Sequence, residues 1–399
     1  MSGEIKQVFS SESVTPGHPD KLTDFAIAHC GDRSEEESQK YGGHGRYGIE
    51  AAVKGSLENG GTVFLTGEVT LPKGATFDPD TWVREAVREI GYTPSAGFSD
   101  QAKVIIEITP QSKNIDHGVT KRNKKLGYGD QGIFIGGAVI GDGPNFMPMP
   151  IMVARSLTRR MYEAFQTKEL PWIRPDGKSL VGVQYVNGVP VRITNITLAA
   201  SHDPLAELGY VKEELRKKII APISDEFHLM IDTGTKIEIN GAGKWTIYGP
   251  LADSGVGNRK IVVETYGGWC PIGGGGLDGK DPTKGDVSLN AAARWLPLWI
   301  VKSDLAKIAH VQMACTIGRT RLDSLVVNTF GTGKYPDDVL ANLILKKVDF
   351  SIGTLIERFK MYDQKMGEFA KYGWMGNPNA PWEKTPSESL AEVLGIAIR

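Results

Sequence analysis

No segment constrains this chain more than Thr265 to Asp286, TYGGWCPIGGGGLDGKDPTKGD. Gly267, Gly268, Gly273, Gly274, Gly275, Gly276 and Gly279 crowd into it, with Gly285 just behind. Glycine lifts the Cβ barrier to positive φ and lets backbone N–H groups come close to a ligand. Successive turns of this kind form concavities that suit anions. Lys280 and Lys284 on such a scaffold suit phosphate oxygens. The carboxylates of Asp281 and Asp286 between them suit Mg²⁺, which prefers oxygen ligands. The stretch is neither the GxxxxGKS/T phosphate loop nor a dinucleotide GxGxxG. Its chemistry is that of a polyanion with a hard metal.

The rest of the composition restricts the classes. A chain of 399 residues has room for two or three domains with buried cores. A formal charge of −1 gives no general attraction to nucleic acid or acidic membranes, so any anion site is local. Three scattered cysteines, Cys30, Cys270 and Cys315, argue for a reducing compartment and against a disulfide frame. The N-terminal MSGEIKQVFS has no apolar signal core, and no apolar run reaches membrane-span length. The expectation is a soluble, cytoplasmic protein with no nucleic-acid or membrane partner.

Along the chain, Pro19 suits a first helical turn, and Leu22, Phe25, Ala26 and His29 follow at helical spacing. His18, Asp20 and Lys21 then lie at a helix N-terminus, which favours phosphate. Residues 32–45 read as an exposed polar connection, and 47–54 and 62–71 as strands carrying Glu50 and Glu68. A helix over 80–90 and a buried strand over 103–109 come next. The basic stretch 111–129 reads as a long loop of the kind that forms lids. It leads to Asp130 at the mouth of another strand. A helix over 150–165, a turn over 174–178 and a hairpin through Asn187-Gly188 follow. Then come an amphipathic helix over 205–220, strands flanking 240–244, a helix over 288–301, strands over 311–317 and 325–330, and helices near Pro336 and Asp349. This order predicts an α+β fold of three similar lobes of mostly antiparallel sheet, each with helices on one face, arranged with pseudo-threefold symmetry. Approximate bounds are 1–115, 126–248 and 249–399, with segments free to exchange between lobes.

The candidate polar groups are His18, Asp20, Lys21, Asp130, Lys178, Asp253, Arg259, Lys260, Lys280, Lys284 and Asp286. They contain no zinc spacing and no evident serine–histidine–acid order. Cations with Mg²⁺-type carboxylates stabilise phosphoryl charge electrostatically. The residues alone indicate a nucleotide polyphosphate enzyme and leave the second substrate open.

Several fragments occur in one order along the chain. They are SSES at Ser10 to Ser13, GHPDK at Gly17 to Lys21, VREIGY at Val87 to Tyr92, GYGDQG at Gly127 to Gly132 and LPWIRPDGKS at Leu170 to Ser179. NRKIVVETYGG at Asn258 to Gly268, GGGGLDGKDPTKGD at Gly273 to Asp286 and PWEK at Pro381 to Lys384 complete the set. This ordered set resembles the S-adenosylmethionine synthetase (methionine adenosyltransferase) family. The resemblance implies synthesis of S-adenosylmethionine from ATP and L-methionine. The thioether sulfur attacks the ribose 5′ carbon, the whole triphosphate leaves, and it is then cut to pyrophosphate and phosphate. A thioether has no proton to remove, so the barrier lies in the leaving group.

Carried over by position, the resemblance makes His18, Lys178, Arg259 and Lys280 catalytic. His18 would steady the bridging oxygen. With them, Asp130, Asp176, Lys244, Trp245, Asp253 and Lys260 would bind ATP, and Trp245 would stack on adenine. Glu68, Gln111, Asp253, Lys284 and Ile317 would form the methionine site. Asp20 and Asp286 would hold a pair of Mg²⁺ ions, and Glu50 would hold K⁺. The active site would be shared between subunits of a homodimer or homotetramer. The chain departs from the family pattern at Tyr128, Gly257, Ile272, Leu277 and Val287. Two other readings stay open: a relative that mainly hydrolyses triphosphate, and a non-catalytic regulatory subunit.

Overall fold

A computed structural model describes residues 6–111 and 126–397. The elements in order are β1 (Lys6–Val14), α1 (Pro19–Lys40), β2 (Arg46–Lys54), β3 (Thr62–Thr70), α2 (Pro79–Ile90), β4 (Lys103–Thr109), β5 (Gly132–Val139), α3 (Met149–Gln166), β6 (Ile173–Val186) and β7 (Val189–His202). They continue with α4 (Leu208–Leu215), β8 (Lys236–Ile239), β9 (Gly255–Val256), α5 (Gly285–Lys302), β10 (Ile308–Cys315), β11 (Ser324–Asn328), α6 (Asp337–Lys347), α7 (Ile352–Phe359) and α8 (Met366–Tyr372).

The fold is α+β with three sheets, ordered β4-β3-β2-β9, β1-β6-β7-β8 and β11-β10-β5. Among the described strands, only β3 with β4 and β7 with β8 run parallel. The sheets exchange segments. The first strand of the chain lies in the sheet of β6 and β7, β5 joins β10, and β9 joins β2. Three apolar cores back the sheets. The largest surrounds α5, whose residues from Val287 to Val301 are all buried.

The hairpin through Asn187 and Gly188 has φ of 51° and 82°, the positive pair a type I′ turn needs. Helix α2 ends on Gly91 in the left-handed region, φ 93°. Elsewhere the structure corrects the sequence reading. Residues 32–40 are the second half of α1 rather than an exposed connection. Asp32, Ser34, Glu35 and Ser38 are buried there. The Asp32 carboxylate accepts from the N–H groups of Met366 and Gly367 at the start of α8, at 2.8 and 2.9 Å. The Ser34 and Ser38 hydroxyls donate to carbonyls four residues back. A polar composition is thus compatible with burial wherever each group finds a partner.

Residues 174–178 lie within β6. Pro175 has no N–H to give the ladder, and the pairing with β7 skips from Ile173 to Gly177. The helix expected over 205–220 starts at Leu208 and runs through a wider π turn over Arg216–Ile220 to Phe227, around Pro222. Of the strands expected around 240–244 only β8 forms. The edge strand β4 is half-covered rather than buried. The lid expected over 111–129 falls mostly outside the described residues.

Candidate active site

Strand β1 ends at Val14, which pairs with Lys178 of β6. The chain then turns through Thr15, Pro16 and Gly17 into α1. Gly17 is required here, because a Cβ would lie 2.4 Å from the Pro175 carbonyl oxygen. Its own carbonyl accepts from the Tyr92 hydroxyl at 2.5 Å. His18 is therefore the N-cap of α1, with its Nδ1 accepting from the Asp20 N–H at 3.2 Å. An acceptor Nδ1 makes the neutral imidazole a donor from Nε2. Burial, then Lys178 and Lys260, lower its pKa to about 3, so the ring stays neutral.

Asp20 accepts from Val256 N–H at 2.9 Å and from Lys260 Nζ at 2.6 Å, with Arg259 at 3.8 Å. Burial raises its pKa, but the Lys260 and Val256 hydrogen bonds outweigh this and leave it below the usual carboxylate range. Lys260 adjoins the short helix Ile261–Glu264. Asp176 is buried. One oxygen accepts from Gly249 N–H at 2.9 Å while Oδ1 has no partner, and burial pushes its pKa to about 7. Lys178 and Asp253 both act on Asp176 electrostatically. One cluster thus contains His18, Asp20, Asp176, Lys178, Asp253, Arg259 and Lys260.

A second cluster forms where the glycine run meets α5. Lys280 Nζ lies 2.7 Å from Asp286 Oδ2 in the first turn of α5. A Cβ on Gly275 would sit 1.8 Å from Asp286 Oδ1, and one on Gly276 would sit 2.2 Å from Asn258 Cγ. Glu50 accepts from Asn258 Nδ2 at 3.3 Å. Burial raises its pKa despite Asn258 and Lys280. Lys284 passes between two more glycines. A Cβ at Gly48 would be 3.9 Å from both Lys284 Cε and Glu68 Oε2, and one at Gly129 would be 3.7 Å from Lys284 Cγ. This brings Glu68, Lys284 and the neighbourhood of Asp130 together. Gln111 N–H donates to Thr70 at 2.9 Å, beside Glu68 on β3. Ile317 is 42% exposed, and Gly318 next to it donates to the Tyr128 carbonyl.

Among the described residues, no hydrogen bond or ion pair links Asp20 to Asp286 directly. Asn258 is the link. Its N–H donates to Asp24, and its side chain reaches Glu50 and Asp278. Sequence reasoning missed it because an asparagine in a loop carries no chemical signature. Asp281 is also not where the glycine stretch suggested. It is fully buried and accepts from Tyr47 N–H, Thr283 and Lys284, with Arg46 at 3.6 Å. It holds Lys284 and is no open metal ligand. Lys244 touches Pro204 and Glu207, outside both clusters. Trp245 packs against the core behind β2 and β3. Of the departures, Tyr128 points away from the site. It is buried and donates to Phe350 O at 3.1 Å. Leu277 and Val287 are core residues, Ile272 is 36% exposed, and Gly257 lets Ile27 approach.

The fold and site together define an α+β protein of three sheets that carries two clusters of paired cations and carboxylates. Models of the S-adenosylmethionine synthetase N-terminal, central and C-terminal domains match residues 6–113, 125–245 and 247–384. The chain is similar to S-adenosylmethionine synthases of Desulforudis audaxviator (37% identical) and Microcystis aeruginosa (36%), and to that of Thermus thermophilus (37%). Each match covers 98% of this chain and 99% of the relative. The chain belongs to the S-adenosylmethionine synthetase family. Its chemistry is that of a methionine adenosyltransferase, which makes S-adenosylmethionine.

Proposed function

We propose that the chain joins L-methionine to ATP by displacing the whole triphosphate and then hydrolyses that triphosphate to pyrophosphate and phosphate. The observation that carries this is the neutral His18 donor set among Lys178, Lys260 and Arg259. Sulfur forms its bond to C5′ as the C5′–O bond breaks, and the electron pair leaves on the triphosphate. No base is required. The groups needed are donors and cations at the departing oxygens, and the neutral imidazole, its Nδ1 occupied as an acceptor, offers its Nε2–H as such a donor. His18, Lys178, Arg259 and Lys280 have this catalytic role. Asp130, Asp176, Trp245, Asp253 and Lys260 complete the ATP contacts, with Lys244 reaching ATP from outside the two clusters.

Methionine binds as a zwitterion. Glu68 and Asp253 take the ammonium, Gln111 and Lys284 take the carboxylate, and Ile317 lines the pocket. The convergence of Glu68 and Lys284 on Gly48 supports this pairing of opposite charges.

Asp20 and Asp286 are the residues that would hold Mg²⁺. Asp20 is kept ionised by its donors, and Asp286 stands at the glycine run beside Lys280. Glu50 suits K⁺, since it is half-buried and Asn258 is its only hydrogen-bond partner among the described residues. Bound Mg²⁺ supplies charge neutralisation on the triphosphate.

The partner is a second copy of the chain. Val256, Ala52, Phe64 and Ile105 form a cross-strand row on β9, β2, β3 and β4, and Val256 and Phe64 are each 37% exposed. By strand alternation Glu50 and Glu68 share that face, so a protomer covering the row would also close over the site. The three lobes are read as 1–115, 126–248 and 249–399, and the compartment as cytoplasmic. Incubation with ATP, Mg²⁺ and K⁺, with and without methionine, tests the reading. S-adenosylmethionine, pyrophosphate and phosphate in equal amounts are expected. Phosphate without S-adenosylmethionine would overturn it.

A further inference from the structure

Beneath the two clusters lies a third charged group that the reaction does not use. Lys21 follows Asp20 directly on α1, and Asp24 lies one helical turn beyond Asp20. Glu264 closes the short helix after Lys260, and Asp278 lies two residues before Lys280. All four are buried, none more than 1% exposed. Each carboxylate has one oxygen with a donor. Asp24 Oδ1 accepts from Asn258 N–H at 2.5 Å, Asp278 Oδ1 accepts from Trp374 Nε1–H at 3.0 Å, and Glu264 Oε1 accepts from the Lys21 ammonium. The second oxygen of each, Asp24 Oδ2, Glu264 Oε2 and Asp278 Oδ2, is buried and meets no donor, although the Glu264 and Asp278 carboxyls lie within hydrogen-bond reach of each other. One oxygen from each of the three carboxylates lies within 4.8 Å of the others. Lys21 Nζ stands 3.7 Å from Asp24 Oδ2.

Charge decides what this arrangement needs. Three carboxylates face the Lys21 ammonium, and the buried Arg155 guanidinium acts on Glu264 from further off, so negative charge remains in excess in the interior. A buried charge left uncompensated is strongly destabilising. Bound protons or a divalent cation must neutralise the group.

We propose that Asp24, Glu264 and Asp278 form a binding site for one divalent cation, distinct from Asp20, Asp286 and Glu50. An all-oxygen donor set selects hard ions. Ca²⁺, whose coordination is flexible, and Mn²⁺ tolerate such an irregular donor set better than Mg²⁺, with water completing the shell. The ion ties together the start of α1, the loop of Asn258 and the loop of Asp278. Those segments carry Asp20, Arg259 with Lys260, and Lys280. It is a clamp under the phosphate residues, and it does not touch substrate.

The test uses the full chain carrying Asp20→Asn and Asp286→Asn, stripped with chelator and studied without ATP or methionine. Ca²⁺ and Mn²⁺ are added separately. One equivalent retained per chain after gel filtration is expected, with a rise in Tm of about 3 °C. Adding Asp278→Asn, which keeps the acceptor for Trp374, removes both effects and leaves the metal-free Tm equal or higher. Glu264→Gln is the second variant and behaves alike. No retained metal with an unchanged Tm would overturn the site and assign two protons to the cluster. Full retention in Asp278→Asn would also overturn it. Because the readout is on substrate-free protein lacking Asp20 and Asp286, its failure leaves the proposed reaction untouched.

Discussion

Gly275→Ala is expected to cripple the reaction while barely disturbing the fold, and Gly274→Ala is its control. Neither glycine has a positive φ, so alanine is allowed by the backbone at both positions. The surroundings differ. A Cβ at Gly274 meets nothing within 4 Å, whereas at Gly275 it lies 1.8 Å from Asp286 Oδ1 and 2.3 Å from Cγ. Ordinary contact needs about 3.4 Å, so the carboxylate must move by roughly 1.5 Å. The obstacle is the end of a side chain that is 20% exposed, so rotation relieves the clash for about 1 kcal/mol. That rotation also breaks the 2.7 Å contact with Lys280. A misplacement of about 1 Å at a charge-stabilising group can cost about 100-fold in rate. Gly275→Ala should therefore lose about 100-fold in kcat, with Tm within a few degrees of the parent. Gly274→Ala should keep its rate, and reduced chain entropy in its unfolded state should stabilise it by about 0.5 kcal/mol. Steady-state assay for S-adenosylmethionine and thermal unfolding read both. Equal kcat values would refute the reasoning that close approach is why this glycine is there.

Trp245→Ala should raise the KM for ATP; an unchanged KM removes the stacking role. His18→Ala should slow sulfonium formation more than it weakens ATP binding, measured by single turnover against equilibrium binding. Equal losses would contradict a role at the leaving group. Arg294 is fully buried and grips Glu383 through Nε and Nη2 at 2.9 and 2.7 Å, so Arg294→Met should destabilise by about 3–5 kcal/mol in denaturant unfolding. Burial lowers the pKa of His310 to about 4 against about 6.5 unfolded. The unfolded chain then binds a proton that the native chain refuses, so this contribution is present above pH 6.5 and lost as pH falls toward 4. Allowing for partial exposure, about 1 kcal/mol should vanish between pH 7 and 5, and His310→Phe should flatten that loss.

What was legible in the sequence follows from which residues act through local rules. Asn187-Gly188, Pro19 and Gly91 specify backbone conformations that tertiary contacts do not override, and the hairpin and both helix ends were readable. The burial of Asp32 to Ser38 was not, because Asp32 finds its partners more than three hundred residues away at Met366 and Gly367, while Ser34 and Ser38 bond back into their own helix. A polar run reads as solvent-facing unless those partners are known. Asp281 and Asp286 show the same limit within the site. They are five residues apart and chemically identical, yet one is sealed under Tyr47 and Arg46 and the other faces the glycine run.

The glycine run itself needs a different reading from the one its composition invites. Clustered glycines suggest left-handed turns, but Gly273 to Gly276 all avoid positive φ, while Gly267, Gly268 and Gly279 do not. The four central glycines are thin rather than bent. Each missing Cβ at Gly275 and Gly276 is replaced by a side chain, Asp286 or Asn258, that would otherwise be held off. The loop is therefore shaped by the charged groups it lets in, and its tolerance to substitution should track distance to those groups rather than backbone conformation. Gly279 marks the opposite limit. Its φ is 77° and a Cβ would lie 2.2 Å from the Ile49 carbonyl, so Gly279→Ala should disturb the loop backbone beside Lys280 and lower Tm as well as rate. A Gly279→Ala protein with parental Tm and only a rate defect would show that the loop yields there too.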